Sequence, residues 1–288
     1  MKEQLITILE NFDLINKKQQ RQFRYRKLGG ITNTSYLTDF GKESYVVRIP
    51  GVNLDLINRA AELKNHLIAN GLKITLPFLY LDEHTGIKIS QYVPELRSFS
   101  YRDFNNSELR KKAFEKLSRL HNSDLEFIKN FSPMEAFLEL VENSDKFYEK
   151  ARFVGNSIVI ELNKLTLNSQ PCHQDLYSDN FVQVKDDVYL IDWEYSSQGD
   201  AFFDYGDLFM QNKFNDSMKE TAYKELGVER NTENQMKGEL FEMLSFLTWG
   251  LWAVNKSKVD YDISKEEYFK VGKERIEEAI YRYENKLF

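Results

Sequence analysis

Apolar residues fall into two regimes along the chain. Near the start, Leu5, Ile6, Leu9 and Phe12 recur at helical spacing. Residues 23–28 then read as a strand ending at Gly29-Gly30, and residues 35–38 as a second strand. Gly41 turns the chain into Tyr45-Val46-Val47-Arg48-Ile49, a β-branched run stopped by Pro50. The spacing predicts a helix over 54–70, closed by Gly71. Residues 78–81 and 87–92 predict a hairpin around Asp82-Glu83-His84-Thr85-Gly86, and Pro94 marks a break. After it, residues 107–121, 133–152 and almost everything from Ala201 onward predict helix. Two short strands, 181–184 and 188–191, flank the turn Lys185-Asp186-Asp187. Strands first and helices later make this an α+β chain in two lobes. The boundary is expected near Pro94 to Phe99, giving a small strand-rich N-lobe (1–95) and a larger helical C-lobe (96–288).

In the late helix, Leu240, Met243, Leu244, Leu247, Leu251 and Val254 form one apolar stripe. At ~100° per residue, Trp249 points about 180° and Trp252 about 120° away from Leu240. The two indoles share a second face. That face is either a second buried side of the helix or a pair of rings offered to a cation.

One polar segment carries chemistry. His173-Gln174-Asp175-Leu176-Tyr177-Ser178-Asp179-Asn180 reads H-x-D-L-x-x-x-N, the catalytic-loop signature of protein kinases. Leu190-Ile191-Asp192-Trp193-Glu194-Tyr195 follows, with Asp192 seventeen positions after Asp175. Phosphoryl transfer from ATP needs one Asp to accept the proton of the attacking hydroxyl, and an Asn and a second Asp to hold Mg²⁺. Asp175 fits the first role, and Asn180 and Asp192 fit the second. Upstream, Gly29-Gly30-Ile31-Thr32-Asn33 between two strands is a phosphate-binding turn or a plain hairpin. No G-K-[ST] follows it, so it is not a Walker loop. Arg48 lies inside an apolar strand, where a charge needs a partner, and Glu62 on the next helix is the natural one. An edge-strand arginine facing water is the competing reading of Arg48. Gln91, Tyr92 and Val93 end the last N-terminal strand, where a kinase borders the adenine with backbone groups. No A-P-E follows the metal Asp, so a peptide-docking segment is missing and the acceptor is expected to be a small molecule.

Bulk properties narrow the partners. The 288 residues are 42% hydrophobic and 29% charged, which is a globular composition. A net charge of −6 disfavours nucleic acid as the main partner and suits a cationic substrate. No apolar run reaches the ~18 residues of a membrane span. The single cysteine, Cys172, permits no internal disulfide and reads as a buried structural thiol. With no leader-like h-region, the chain is expected to be cytoplasmic.

Ile191-Asp192-Trp193-Glu194-Tyr195-Ser196-Ser197 closely resembles the choline/ethanolamine kinase family, in particular its bacterial LicA-type branch. The resemblance extends through Gly29 to Asn33, Leu56-Ile57-Asn58-Arg59 with Glu62, HQDLYSDN and Leu247-Thr248-Trp249-Gly250-Leu251-Trp252. It implies a protein-kinase-like two-lobed fold and transfer of the γ-phosphoryl of MgATP to the hydroxyl of choline. By the same resemblance, Gly29, Gly30, Thr32, Asn33, Arg48, Glu62, Gln91, Tyr92 and Val93 serve the nucleotide. Glu194 and Tyr195 border the substrate pocket, and Trp249 and Trp252 wall a quaternary ammonium. Choline kinases often carry Glu nineteen residues after the metal Asp, where this chain has Gln211. The alternatives are a kinase for ethanolamine, an aminoglycoside or thiamine, or a choline-binding protein without catalysis.

Overall fold

Period-two alternation in the first half builds one sheet. β1 (Arg24–Gly29), β2 (Asn33–Asp39) and β3 (Ser44–Pro50) form an antiparallel meander, and β4 (Tyr80–Leu81) and β5 (Lys88–Gln91) complete it in the order β1-β2-β3-β5-β4. The computed structural model describes the chain except residues 31, 42, 52–55, 143, 145–147, 260–264 and 286–288. Ile31 of the glycine segment and the Leu54 end of the expected helix lie outside the described residues.

Tyr45, Val47 and Ile89 point to one side of the sheet, where Leu5, Ile8 and Leu9 of α1 (Lys2–Asn11) cover them. Side chains alternate along a strand, so Arg48 and Lys88 fall on the other side. The register places these two directly opposite each other. The sheet thus turns its apolar face to α1 and a pair of cations toward the rest of the chain.

α2 (Arg59–Gly71) starts later than the expected residue 54. The Asn58 side chain accepts from Ala61 N (3.1 Å), so the helix begins where a cap satisfies its first amides. Leu56 and Ile57 precede the cap and pack against the larger core. The single helix expected over 133–152 is two, α4 (Pro133–Glu142) and α5 (Glu149–Leu162). Ser144 bonds back to Leu140 O (2.7 Å) at the end of α4. Val154, Ile158 and Leu162, buried at i, i+4, i+8, carry α5 well past residue 152.

α3 (Ser107–His121) matches its expected span, with Asn106 accepting from Glu108 N and Leu109 N. Short strands that no alternation announced also appear: β6 (Arg97–Ser98), β7 (Gln170–Cys172) and β10 (Ser197–Gly199). β6 adds to the hairpin of β8 (Phe181–Val184) and β9 (Asp187–Leu190), while β7 pairs with β10. α6 (Ala201–Gln211), α7 (Asp216–Leu226), α8 (Thr232–Val259) and α9 (Lys265–Asn285) follow. The stripe from Leu240 to Val254 is fully buried, and Trp249 on the opposite side is buried too, so α8 is covered on both sides there. α9 approaches α8 closely at paired glycines. A Cβ on Gly272 would lie 2.6 Å from Gly250 O, so only glycine fits this crossing. No helix among the described residues is long and apolar enough to cross a membrane.

Candidate active site

The loop after β7 is held by carboxylates from α6. Asp204 accepts from His173 N (2.9 Å), Gln174 N (2.7 Å) and His121 Nε2 (2.8 Å). One turn on, Asp207 accepts from Leu176 N (2.6 Å), Ser245 Oγ (2.7 Å) and Trp249 Nε1 (2.8 Å). Both carboxylates are fully buried. Gln174 has φ +67°, a left-handed conformation costly for a residue with a Cβ, and the two amides pinned on Asp204 hold it there. Asp200 caps α6 by accepting from Phe202 N (2.9 Å) and pairs with Lys237 (2.7 Å), which fixes the helix that carries both acids.

His173 joins the two halves of the catalytic machinery. Its Nδ1 accepts from Asp175 N (3.4 Å), and its Nε2–H donates to Ile191 O (2.9 Å). Burial lowers its pKa, so the ring is neutral and this tautomer is retained. Asp175 receives the Asn180 amide on its backbone oxygen and on Oδ2, both at 2.9 Å. Oδ1 is left without a partner among the described residues. Burial, then the charges of Asp207, Asp192 and Glu194, push the Asp175 carboxyl well above the usual carboxylate range. A carboxylate so raised is a stronger proton acceptor than a solvated one.

Facing the loop is a network of charges. Arg48 is buried and bridges Glu62 (2.5 Å) and Asp192 (3.0 Å). Burial works against its charge, but Glu62, Asp192 and Glu194 more than offset that. Arg48 is therefore no solvated edge residue. Its Nε is a buried donor without an acceptor among the described residues. Lys88 stands beside it, its pKa pushed down to about 8 by burial and by the Arg48 charge. Asp192 has φ +64°, the second left-handed residue of the site. Glycines at 29 and 30 adopt φ +128° and +123°, and a Cβ on Gly30 would meet Asn33 O at 1.9 Å. The turn between β1 and β2 thus requires glycine at 30.

Several expected residues have partners within the chain. Thr32 Oγ1 (2.6 Å) and Asn33 Nδ2 (2.7 Å) both donate to Glu194. Arg59 pairs with Glu62 (2.6 Å) and Glu194 (3.1 Å). Glu194, expected beside the substrate, is buried and ties the glycine turn to the metal-loop segment. Tyr92 N is used by Ser44 O (3.0 Å), while the Gln91 side chain is exposed and Val93 O accepts from Leu96 N (3.4 Å). Trp249 is 4% exposed, stacked on Phe131 (5.7 Å, 5°) and edge-on to Tyr195 (5.1 Å). One of its ring faces is therefore already taken. Trp252 is half-buried, edge-on to Trp249 (6.1 Å) and Tyr268 (6.2 Å), with Lys256 Nζ 5.3 Å from its ring centroid.

Sequence reasoning gave no role to Asp204, Asp207, Arg59 or Lys88. Two acids in the otherwise apolar Ala201-Phe202-Phe203-Asp204-Tyr205-Gly206-Asp207-Leu208-Phe209 were the available signal, since a charge inside such a run must be paired. Asp192 and the free Oδ1 of Asn180 are the oxygen donors equipped to hold a hard divalent cation. Asn180 and Asp192 are brought together by Ile191 N, which donates to Asn180 O (2.9 Å).

A pinned H-x-D-L-x-x-x-N loop, a second acid tied to its Asn, and a strand cation bridged to a helix glutamate are the arrangement expected of a protein-kinase-like phosphotransferase. The comparisons narrow the class. Residues 26–241 match the sequence model of the Choline/ethanolamine kinase family. Protein LicA of Haemophilus influenzae is 30% identical over 257 residues, covering 83% of this chain and 75% of that protein. The chain belongs to the choline/ethanolamine kinase family and is a phosphotransferase acting on an alcohol. Its fold is similar to that of the choline kinase LicA from Streptococcus pneumoniae (TM-score 0.84, 24% identity, 99% and 100% of the two chains covered). LicA in complex with AMP superposes with a TM-score of 0.80 at 24% identity, covering 96% of this chain and 97% of that one.

Proposed function

We propose that the protein transfers the γ-phosphoryl group of MgATP to the hydroxyl of choline, giving phosphocholine and ADP. The observation that carries this reading is the link from base to aromatic wall. Asp207 accepts from Leu176 N, next to Asp175, and from the Trp249 indole, which abuts Trp252. The rings of Trp252 and Tyr268 already hold the Lys256 ammonium at 5.3 and 5.7 Å, so this surface attracts a cation. A quaternary ammonium has no N–H to donate and depends on such rings.

In this reading Asp175 takes the hydroxyl proton through Oδ1 while the alcohol oxygen bonds to phosphorus and the bond to ADP breaks. Asn180 orients the base through Oδ2. Arg48 and Lys88 supply fixed positive charge toward the phosphates, and the Gly29-Gly30 turn lets backbone approach them. Bound Mg²⁺, held by Asp192 and Asn180, would neutralise charge on the transferring phosphoryl. Residues 91–93 would border the adenine, with the Val93 amide, which has no backbone partner among the described residues, as the available donor.

Product analysis by phosphorus NMR after incubation with MgATP and choline tests the reading; a phosphocholine resonance is expected, and ATP left intact contradicts it. Two variants separate the subsites. Arg48→Ala is expected to raise the KM for ATP more than that for choline, since Glu62 keeps Arg59 as a partner and the fold survives. A change confined to the choline KM would move Arg48 out of the nucleotide site. Trp252→Ala is expected to raise the choline KM at least tenfold, about 1.4 kcal/mol, and the ethanolamine KM less. Equal losses in a stably folded variant would make Trp252 a packing residue only.

A further inference from the structure

α9 places a guanidinium inside the acidic end of the acceptor side. Arg275 Nη2 donates to Gln211 Oε1 (2.8 Å), and Gln211 lies one helical turn beyond Asp207 on the same face of α6. The close Gly250–Gly272 crossing brings Arg275 to this position, with its Cβ packed over Gly250 between the two tryptophans in sequence. Burial lowers the pKa of the guanidinium, and Asp207, Asp175 and Tyr177 offset this in part. No carboxylate pairs with it directly among the described residues; its one hydrogen-bond partner there is an amide.

We infer that Arg275, seated on Gln211 one helical turn from Asp207, is a specificity-determining residue that steers the acceptor site toward quaternary and away from primary ammonium alcohols. The inference rests on the proposed choline kinase reading. A primary ammonium must replace its hydration with hydrogen-bond acceptors. The Asp207 and Glu194 carboxylates and the Gln211 amide are already engaged: Asp207 holds three donors, Glu194 holds Thr32, Asn33 and Arg59, and Gln211 Oε1 holds Arg275. The fixed guanidinium also opposes a compact second cation more than one whose charge is spread over methyl groups facing aromatic rings. Removing it frees Gln211 Oε1 as an acceptor that a primary ammonium can use and lifts the guanidinium's repulsion.

The test compares kcat/KM for choline and ethanolamine in wild type, Arg275→Met and Arg275→Lys. The choline-to-ethanolamine ratio is expected to fall about tenfold or more in Arg275→Met, chiefly through a lower ethanolamine KM, and to be largely restored in Arg275→Lys. If Arg275→Met does not fold, Arg275→Gln is read in its place; it removes the charge while keeping a polar side chain, and the ratio should move the same way. A ratio within about threefold of wild type in the folded variant overturns the inference alone. A wild type that phosphorylates neither alcohol overturns the proposed function and this inference with it.

Discussion

Asp175→Asn is expected to lower kcat by about 10²–10⁴-fold, the usual worth of a positioned proton acceptor. The substitution keeps the shape of the side chain and leaves the Asn180 contact to the Asp175 backbone oxygen intact. It replaces with a neutral amide the carboxylate whose Oδ1 has no donor among the described residues. The KM for ATP should change little, because the cations and the glycine turn on the other side of the site are untouched. Steady-state kinetics at saturating ATP and alcohol, with a nucleotide-binding titration of the same variant, make the measurement. A kcat near that of wild type would remove Asp175 from the chemistry.

Asp204→Asn should do comparable damage without touching substrate. Asp204 accepts two backbone amides and the His121 ring, and an amide side chain turns an N–H toward at least one of these donors. A buried donor left unpaired costs about 1–3 kcal/mol, so the denaturation midpoint should fall. The left-handed Gln174 then loses the contacts that hold it, and Asp175 next to it drifts. A shift of about 1 Å in a reacting group costs on the order of 10²-fold in rate. The loss is therefore expected in kcat at temperatures where the variant is still folded. A variant with a lowered midpoint but unchanged kcat would show that Asp204 stabilises the lobe without positioning the loop.

The sequence was most informative where chemistry and periodicity coincide. Alternation in Tyr45-Val46-Val47-Arg48-Ile49 identified a strand with a buried cation, and the structure pairs Arg48 with Glu62 as expected. The stripe from Leu240 to Val254 likewise gave the buried side of α8. Local pattern failed where tertiary contacts decide. Nothing in residues 52–58 says that Asn58 rather than Leu54 opens α2; that depends on the Asn58 side chain finding Ala61 N, as well as on the Asn130 side chain bonding Asn58 N (2.9 Å). β7 and β10 are three residues each and exist through pairing across distant sequence.

The site shows the same division. H-x-D-L-x-x-x-N names the reacting groups, but not the helix that pins the loop. Asp204 and Asp207 act through backbone amides, which leave no residue-type signature at the other end of the bond. Helical angles left Trp249 either core or an open ring face, because the angle reveals the side of the helix and not what packs on it. In the structure Phe131 covers one face and Asp207 takes the indole N–H. The side chains of Thr32 and Asn33, in the expected phosphate turn, bond to Glu194, a contact across distant sequence that no local pattern announces.

The central claim is phosphoryl transfer from ATP to choline. A coupled ADP-release assay on the wild-type protein, run against choline, ethanolamine, thiamine and kanamycin with and without Mg²⁺, tests it most directly. The account predicts Mg²⁺-dependent ADP release with choline as the preferred acceptor, ethanolamine next, and release near background with the other two. ADP release that no member of the panel stimulates, or that kanamycin or thiamine stimulates more than choline, would contradict it.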